Sequence, residues 1–245
     1  MIISLLMGRK GSKGFPKKNT TVVRGSMLAE YPMKAVTGCP DVVKNYISTN
    51  DERLMEAAAK YGIEIIKRPP ELCSDAALGE DVYMHAYKIA KKLNKGKKIE
   101  LVVLLMCNAP MVTPDILTQG IKVLRENPEF DSAVSVSRYN MWSPLRARKI
   151  GRDGLLQPFM DLKSLGKTSS MNCDRDSQGD VWFADMGVSI IRPRCLEKIE
   201  SGQLPQRWMG RRIFPLKQWG GLDVDYEWQM GQVEYWISKK GQQED

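Results

Sequence analysis

The fold is decided by the first stretch of the chain, Ile2-Ile-Ser-Leu-Leu-Met-Gly-Arg-Lys-Gly-Ser-Lys-Gly-Phe-Pro-Lys-Lys-Asn19. Its apolar start, Ile2–Met7, is typical of a buried parallel strand that leads into a loop. Glycines at positions 8, 11 and 14 let backbone amides approach a ligand closely, and five Lys or Arg side chains add positive charge. This pattern predicts a phosphate-binding loop. The loop is not a Walker loop and gives little support for dinucleotide binding, because neither GxxxxGK[ST] nor GxGxxG is present. The alternative is a Lys-rich loop that is merely solvated.

Beyond this loop, apolar runs alternate with helical patterns. Strand-like runs lie at 42–48, 63–66, 101–105 and 133–136, and helical spacing occurs at 54–61, 82–93 and 113–124. Thr49-Asn50-Asp51-Glu52 is expected to form a capping box at the start of the first of these helices. The alternation predicts an α/β fold, a mostly parallel sheet with helices on both faces.

The alternation stops near residue 138. Residues 138–180 are irregular, with scattered Gly, Pro, Ser and Asp, and strand-like patterns return at 181–191 and 213–216. A closing helix is expected at 226–237. We therefore predict one domain, residues 1–245, with an insertion at about 138–180.

Composition excludes several classes of protein. The 245 residues include 37 Lys and Arg against 29 Asp and Glu, and the hydrophobic fraction of 42% excludes a disordered chain. No apolar run is long enough for a membrane helix, and the start of the chain does not resemble a signal peptide. The single histidine, His85, argues against a Ser-His-Asp triad or a histidine metal site. Five cysteines without a CxxC pair predict free thiols and a cytoplasmic location.

The pattern L-x-x-R-x-G-S-K-G-x-P-x-K-N, at residues 6–19, resembles the signature of the CMP-sugar synthetases. These include acylneuraminate cytidylyltransferase (CMP-sialic acid synthetase) and, more distantly, CMP-KDO synthetase. Further segments at 46–51, 68–75, 104–110 and 222–225 resemble later motifs of the family, in the same order.

This resemblance implies a Rossmann-like nucleotide-diphospho-sugar transferase fold, with a small inserted subdomain that makes a homodimer. The implied reaction transfers CMP from CTP to the anomeric hydroxyl of an acidic keto sugar, a nonulosonate or ulosonate, with release of pyrophosphate. Such a reaction would serve the synthesis of cell-surface polysaccharides. Mg²⁺ is the implied cofactor, and Mn²⁺ is expected to substitute for it.

The resemblance also implies roles for individual residues. The expected nucleotide-binding residues are Arg9, Gly11, Ser12, Gly14, Lys18, Asn19, Arg68, Ala77, Gly79 and Met106. The expected sugar-binding residues are Asn108, Arg146, Arg175 and Asp185. The expected catalytic residues are Arg9, Lys18, Arg175, Asp223 and Asp225.

Three positions depart from the family pattern. Met106 stands where sialic acid enzymes carry Gln, and Gly79 replaces a small hydroxyl residue. Asp185 lies where an Arg-Pro-Asn-Gly-like stretch is usual, so its carboxylate would repel an acidic sugar unless it is paired or turned away. The resemblance therefore supports the nucleotide site more strongly than the sugar site.

Asp223 and Asp225 form an i, i+2 pair, which at a strand end would point to one side. Two such carboxylates can hold Mg²⁺ whose other ligands are phosphate and water. The alternative is that Asp225 caps the helix expected from Tyr226, and both roles are compatible. Asp174 and Asp176 form a rival Asp-x-Asp motif, which resembles glycosyltransferase metal motifs and calcium loops but also suits a plain surface turn.

Two other functions stay open. Within the same class, the chain would transfer a nucleotide from another NTP or to another sugar. In a different class, it would be a non-catalytic nucleic-acid-binding protein, as suggested by the net charge of +8 and the Trp- and Arg-rich segment 205–219. We predict CTP and an acidic sugar as the ligands, with no nucleic acid and no membrane partner.

Overall fold

A computed structural model describes residues 1–11, 14–74, 77–162, 172–174, 176 and 179–239. Contacts divide the chain into two compact units, Met1–Val136 with Ala184–Asp245, and Ser137–Phe183. The expected insertion at about 138–180 falls within the second unit, and its role in dimer formation stays a prediction. None of the helices in the described ranges has the length and apolarity needed to cross a membrane.

The described strands are β1 (Ile2–Met7), β2 (Val22–Val23), β3 (Ser26–Met27), β4 (Val42–Thr49), β5 (Glu64–Lys67), β6 (Leu101–Met106), β7 (Ser132–Arg138), β8 (Arg148–Ile150), β9 (Leu156–Pro158), β10 (Trp182–Ile191) and β11 (Ile213–Gln218). The described α-helices are α1 (Glu30–Thr37), α2 (Glu52–Lys60), α3 (Gly79–Leu93), α4 (Pro114–Glu126), α5 (Pro193–Glu197) and α6 (Met230–Ser238).

The main sheet has the strand order β11-β7-β10-β6-β1-β4-β5. β1 pairs in parallel with both β4 and β6, and β4 pairs in parallel with β5, which confirms a mostly parallel sheet. β10 differs, because it is antiparallel to β6 and separates it from β7. The sequence predicted a continuous parallel series that included β6 and β7. It did not predict that β10 would lie between them.

Alternating side chains explain why both faces of the sheet are covered. In β1, Ile2 and Leu6 pack in one buried cluster with α1, α2 and α4, whereas Ile3 and Leu5 pack in a second cluster with α3 and α5. β6 alternates in the same way. A strand buried on both faces is mainly apolar, as β6 is throughout and as β1 is apart from Ser4, whose hydroxyl donates to the side-chain oxygen of Asn45.

A third buried cluster lies below the loops that carry the candidate site. α6 contributes Val233 and Trp236, the loop after β11 contributes Val224, and Phe15 of the phosphate loop packs against them. The indole N–H of Trp236 donates to the carbonyl oxygen of Trp219 at 2.9 Å. This cluster fixes the segment 221–225 next to the phosphate loop.

The expected Thr49–Glu52 capping box and the alternative cap role of Asp225 are both wrong, although a helix forms at each place. Thr49 is the last residue of β4, and its hydroxyl accepts from the backbone N–H of Asp51, so the Thr-Glu capping box does not form. Asp51 is the cap of α2, and its carboxylate accepts from the backbone N–H of Arg53 at 3.0 Å. A carboxylate two residues before an orphan amide is a sufficient cap.

The second difference is at the last helix. A 3₁₀ turn at Glu227–Gln229 precedes α6, and its cap is Tyr226 with Gln229 rather than Asp225. Asp225 instead makes an ion pair with Lys18. Asp223 and Asp225 also lie in an irregular loop after β11, not at a strand end.

In the second unit, β8 and β9 form a short antiparallel hairpin. The fully buried residues among its described positions are all polar: Ser137, Asn140 and Ser143. Its large apolar side chains are exposed, among them Met141, Trp142, Ile150, Leu155, Leu156 and Phe159.

Candidate active site

A cavity of about 240 Å³ opens in the first unit, where β1 and β6 end. The chain places β4 and β5 on one side of β1 and returns to place β6 on its other side. Ligands of open α/β sheets bind outside the carboxyl ends of the strands at such a switch point. The cavity has a polar part with Arg9, Lys18, Asn19, Asn108, Asp223 and Asp225, and an apolar part with Leu72, Val82, Tyr83, Met106, Met186 and Trp208.

The phosphate loop brings two cations into the polar part. Arg9 follows β1 directly and donates from Nη1 to the carbonyl oxygen of Cys73 at 2.9 Å. Lys17 has a left-handed backbone with φ 61°, and the Thr20 N–H and hydroxyl both donate to its carbonyl oxygen. This tight turn precedes Lys18, whose ammonium lies 2.5 Å from Asp225. Strained backbone that its neighbours hold in place is common at functional sites.

Gly14 makes the close approach between the two loops possible. A Cβ atom at this position would lie 2.8 Å from the carbonyl oxygen of Asp225 and 3.7 Å from the ring of Tyr226. Asn19 forms the wall behind, where its amide donates to the carbonyl oxygen of Arg9 at 3.3 Å. Its own oxygen is buried without a hydrogen-bond partner in the described part of the chain.

Asp223 and Asp225 have different surroundings. Val224, between them, is fully buried, and the Asn108 amide donates to its carbonyl oxygen at 2.9 Å and to the Asp223 carboxylate at 3.5 Å. Burial raises the pKa of Asp223 above its usual range, and the negative charge of Asp225 adds to this effect. Asp225 is exposed and faces Lys18.

This donor set fits Mg²⁺. The ion usually takes one or two carboxylates and completes its shell with phosphate oxygens and water. A carboxylate with a raised pKa next to a second carboxylate gains from a nearby cation. Among the described residues, no group of three or more His, Cys, Asp or Glu side chains is arranged to hold a metal, so the protein alone supplies only part of a shell here.

The nucleoside residues expected from the sequence lie on one wall. Arg68 is buried and donates from Nη2 to the Ser48 carbonyl oxygen at 2.7 Å and from Nε to its hydroxyl at 3.2 Å. Burial lowers the pKa of Arg68 below its usual range. Ala77 and Gly79 line the cavity at the start of α3, where free backbone N–H groups favour anionic or acceptor atoms.

Of the residues in the apolar part of the cavity, the sequence predicted only Met106 as a site residue. Tyr83 donates its hydroxyl to the sulfur of Met106 at 3.2 Å, and its ring packs at 5.2 Å from the ring of Trp208. Met186, a residue of β10 with a left-handed φ of 59°, also lines the cavity. Tyr83 lies four residues after Gly79, so helical spacing in α3 places both on one face and could have indicated Tyr83 as a cavity residue. Met186 and Trp208 are far from this segment in the sequence, so no local pattern indicates that they line the same cavity.

The sequence profile of the cytidylyltransferase family matches residues 3–149, more than half of the chain. The chain belongs to this family. The match covers the basic loop after β1, the cavity wall with Arg68, Ala77 and Gly79, and β6. It does not cover the loop that carries Asp223 and Asp225.

The chain is also similar to individual cytidylyltransferases. It is 22% identical over 227 residues to the N-acylneuraminate cytidylyltransferase of Oncorhynchus mykiss, which covers 93% of this chain and 48% of that protein. It is 26% identical over 132 residues to the 3-deoxy-manno-octulosonate cytidylyltransferase of Maricaulis maris strain MCS10, with 54% of this chain and 48% of that protein covered. The chain therefore spans about half or less of the length of the curated relatives it matches.

Solved structures share the fold. CMP:2-keto-3-deoxy-manno-octonic acid synthetase complexed with CTP has a TM-score of 0.67 at 14% identity, with 98% of this chain and 99% of that chain covered. The 4-diphosphocytidyl-2C-methyl-D-erythritol synthase of Anaerococcus prevotii DSM 20548 has a TM-score of 0.58 at 10% identity, with 97% and 96% covered. Both likenesses confirm the nucleotide-diphospho-sugar transferase fold.

Asp185, which was expected to bind the sugar, does not line this cavity. Asp185 is buried outside it, where its carboxylate accepts from Ser135 at 2.5 Å and Gln218 at 2.8 Å. Its carboxylate is thus paired and lies away from the cavity. Arg146 belongs to the second unit, and Ser12 and Arg175 lie outside the described residues.

The rival acidic motif lies in the second unit. Asp176 accepts from the Asn140 amide at 2.6 Å, and Asp180 accepts from the same amide at 3.2 Å. Both carboxylates are thus hydrogen-bonded to Asn140. In the aromatic segment 205–219, Trp208 is buried and Trp219 packs against the third cluster.

Proposed function

We propose that this protein transfers CMP from CTP to the anomeric hydroxyl of an acidic keto sugar and releases pyrophosphate. The observation that carries the proposal is the polar part of the cavity, where Arg9 and Lys18 of the phosphate loop face Asp223 and Asp225. Membership of the cytidylyltransferase family supports it, as do relatives named for acylneuraminate and octulosonate sugars.

In the proposed step, the anomeric oxygen forms a bond to the α-phosphorus. The bond from that phosphorus to the bridging oxygen breaks, pyrophosphate leaves with the electron pair, and the hydroxyl proton passes to solvent. Both reactants are anions, so positive charge must be fixed where they meet. Arg9 and Lys18 supply it in a preorganised form, which is the main source of catalysis in phosphoryl transfer.

We also propose Mg²⁺ as the cofactor, with Asp223 and Asp225 as its protein ligands and Mn²⁺ as a substitute. When bound, the ion supplies charge neutralisation at the phosphate oxygens. The raised pKa of Asp223 supports this assignment, because a cation at the site would relieve the repulsion between the two carboxylates. Lys18 would then be released from Asp225 to contact phosphate.

A homodimer is the proposed assembly. Trp142, Ile150, Leu156 and Phe159 of the second unit expose 60 to 75% of their surface. Apolar surface of this extent is typical of protein interfaces. The proposed location is the cytoplasm, which five free cysteines support.

The experiment is a pyrophosphate-release assay with CTP and a panel of acidic keto sugars, with ATP, GTP and UTP run in parallel. We expect turnover only with CTP and an acidic sugar, and none after removal of divalent cations with EDTA. Turnover with a different NTP or a neutral sugar would favour the alternative within the same class. No turnover with any pair would contradict the proposal.

A further inference from the structure

Asp185 is a buried acidic residue of the main sheet, and only 4% of its surface is exposed. It lies in β10, which is next to β7 in the sheet, and β11 lies on the far side of β7. One carboxylate oxygen accepts from the Ser135 hydroxyl of β7 at 2.5 Å. The other accepts from the Gln218 amide of β11 at 2.8 Å. A single side chain therefore joins three neighbouring strands.

The same carboxylate holds an irregular turn in β10. The backbone N–H of Gly187 donates to the oxygen that Ser135 also contacts, at 3.1 Å, and this bond closes a turn around Met186. Met186 has a left-handed backbone with φ 59°, which is unfavourable for a residue with a side chain. The pairing of β10 with β6 begins after this turn, at Val188. Because Met186 lines the cavity, the turn sets part of the cavity wall.

Asp185 also packs against the segment that leads to the acidic pair. A Cβ atom at Gly221 would collide with the Asp185 carboxylate, so the backbone of Gly221 lies directly against it. Gly221 is buried and is two residues before Asp223. From α6, the Gln232 amide donates to the carbonyl oxygen of Gly220 at 3.1 Å. The backbone before Asp223 is thus held both by Asp185 and by α6.

The partners of Asp185 explain why a carboxylate suits this place. The Ser135 hydroxyl, the Gln218 amide and the Gly187 N–H all act as donors, and an ionised carboxylate is purely an acceptor. Burial of a charge is costly unless it is hydrogen-bonded, and these bonds offset the cost. An apolar side chain of similar size would fill the space but leave buried donors without an acceptor.

We infer that Asp185 is a positioning residue for the proposed metal site. It acts on Asp223 through Gly221, and on the cavity wall through the turn at Met186. The inference rests on the proposed function, in which Asp223 holds Mg²⁺. A displacement of about 1 Å at a reacting group can lower the rate about 100-fold. A residue that fixes the loop of a metal ligand therefore affects kcat without contact with the substrate.

The test compares Asp185→Ala with Asp185→Asn. Ala removes the acceptors, whereas Asn keeps the oxygen that serves Ser135 and Gly187, and its amide can donate to Gln218 once the Gln218 amide flips. The readouts are amide hydrogen exchange of the metal-free protein at 219–225, kcat, and the Mg²⁺ concentration that half-saturates kcat.

We expect Asp185→Ala to exchange faster at 219–225 while β1 stays protected, because only the loop loses its support. Its kcat should fall about 10- to 100-fold, and it should need more Mg²⁺. Asp185→Asn should recover most of both losses.

The matched control is Asn94→Ala. Asn94 is also buried in the first unit, and its amide donates to the Tyr46 hydroxyl at 2.7 Å and to the Ala90 carbonyl oxygen at 2.8 Å, but it does not line the cavity. Asn94→Ala should lower the unfolding temperature and leave loop exchange and kcat unchanged. Gln218→Met removes one donor and keeps a similar volume. It should shift both readouts in the direction of Asp185→Ala but less, and it serves as the test if Asp185→Ala does not fold.

Unchanged loop exchange in folded Asp185→Ala, or in Gln218→Met where Asp185→Ala does not fold, would overturn the inference. Faster exchange with normal kcat and normal Mg²⁺ dependence would also overturn it, because Asp185 would then support the fold alone. An equal loss of kcat in Asn94→Ala would show a general effect of stability and would overturn it too. Faster loop exchange in Asp185→Ala, in a protein whose unmodified form has no CTP turnover, would contradict the proposed function and support the placement of the loop by Asp185.

Discussion

The two units of this chain are built in opposite ways. The first buries apolar side chains in three clusters, and every side chain of β1 in it is buried. The second buries only polar residues among its described positions and exposes its large apolar ones. The candidate site therefore belongs to a unit with its own apolar core, whereas the second unit presents the exposed apolar side chains on which the proposed dimer depends.

The largest effect is expected where the first unit supplies its carboxylates. Asp223→Asn and Asp225→Asn keep the side-chain shape but remove charge where phosphate oxygens gather. Loss of one preorganised electrostatic contact typically lowers the rate about 100- to 1,000-fold. We expect kcat to fall by this amount while nucleotide affinity changes less. Steady-state kinetics at saturating CTP measure it, with partial recovery at high Mn²⁺.

Arg146→Gln in the second unit is the comparison variant. It is expected to raise KM for the sugar and to leave CTP binding unchanged, because Arg146 is proposed to meet the sugar and not the nucleotide. A folded Asp223→Asn, Asp225→Asn double variant with near-normal kcat would remove this pair from the mechanism. Attention would then move to Asp174 and Asp176.

The next largest effect is expected in the free energy of unfolding when a buried and an exposed leucine are truncated. Leu105→Ala removes a fully buried side chain of β6, and such changes cost about 2–5 kcal/mol of unfolding free energy. Leu156→Ala makes the same change in β9, where the side chain is 74% exposed, and should cost less than about 0.5 kcal/mol. Urea unfolding measures both.

Leu156→Ala should instead weaken self-association, measured by sedimentation across a range of protein concentrations. A monomer in an active preparation of the unmodified protein would refute the proposed dimer. An equal stability loss in the two Leu variants would refute the contrast between the units.

Gly14 tests the close approach of the two site loops. Gly14→Ala places a Cβ 2.8 Å from a backbone oxygen that cannot rotate away, and overpacking of this kind costs about 1–3 kcal/mol. Gly231→Ala, in α6 with open space around it, is the control and should stabilise the protein by roughly 0.5–1 kcal/mol. Thermal unfolding separates them. An unchanged stability in Gly14→Ala would mean that the loops move apart at no cost.

The sequence predicted the fold best where one pattern has one solution. β6 is a continuous apolar run and β1 is one apart from Ser4, and short runs of this kind are typical of a strand covered on both faces. The position of β10 between β6 and β7 was not predictable, because strand order depends on contacts far apart in the chain. The cap of α2 was misassigned because Thr49, Asp51 and Glu52 offer competing cap atoms, and the end of β4 decides between them.

The residues of the candidate site also differ in how far a local sequence pattern could predict them. The phosphate loop is local in sequence, so Arg9, Lys18 and Asn19 were found from one segment. Asp185 was expected at the sugar site, but it is paired with Ser135 and Gln218 and does not line the cavity, and these partners are so distant in the chain that only the folded sheet brings them to it. Trp208 and Met186 had no local signal for the same reason.

The smallest effect concerns the stability of the first unit itself. Burial, with the charge of Asp225, raises the pKa of Asp223 above its ordinary value of 3.8. The folded protein therefore binds the proton more tightly than the unfolded chain, so stability falls as pH rises through the interval above 3.8. Asp223→Asn removes this penalty and should be more stable than the unmodified protein at neutral pH in EDTA. The gap should shrink towards pH 4.

Mg²⁺ should reverse that order, because it stabilises only the protein that retains both carboxylates. Urea unfolding at pH 7 and pH 4, with EDTA or Mg²⁺, measures all four conditions. Lower stability of Asp223→Asn at neutral pH in EDTA would mean that the contact with Asn108 outweighs the buried charge. Asp223 would then stabilise the fold as a carboxylate, and the proposed metal site would lose one argument in its favour, the electrostatic cost that a bound cation relieves. The expected order instead makes Asp223 a residue kept for its chemistry at a small cost in stability.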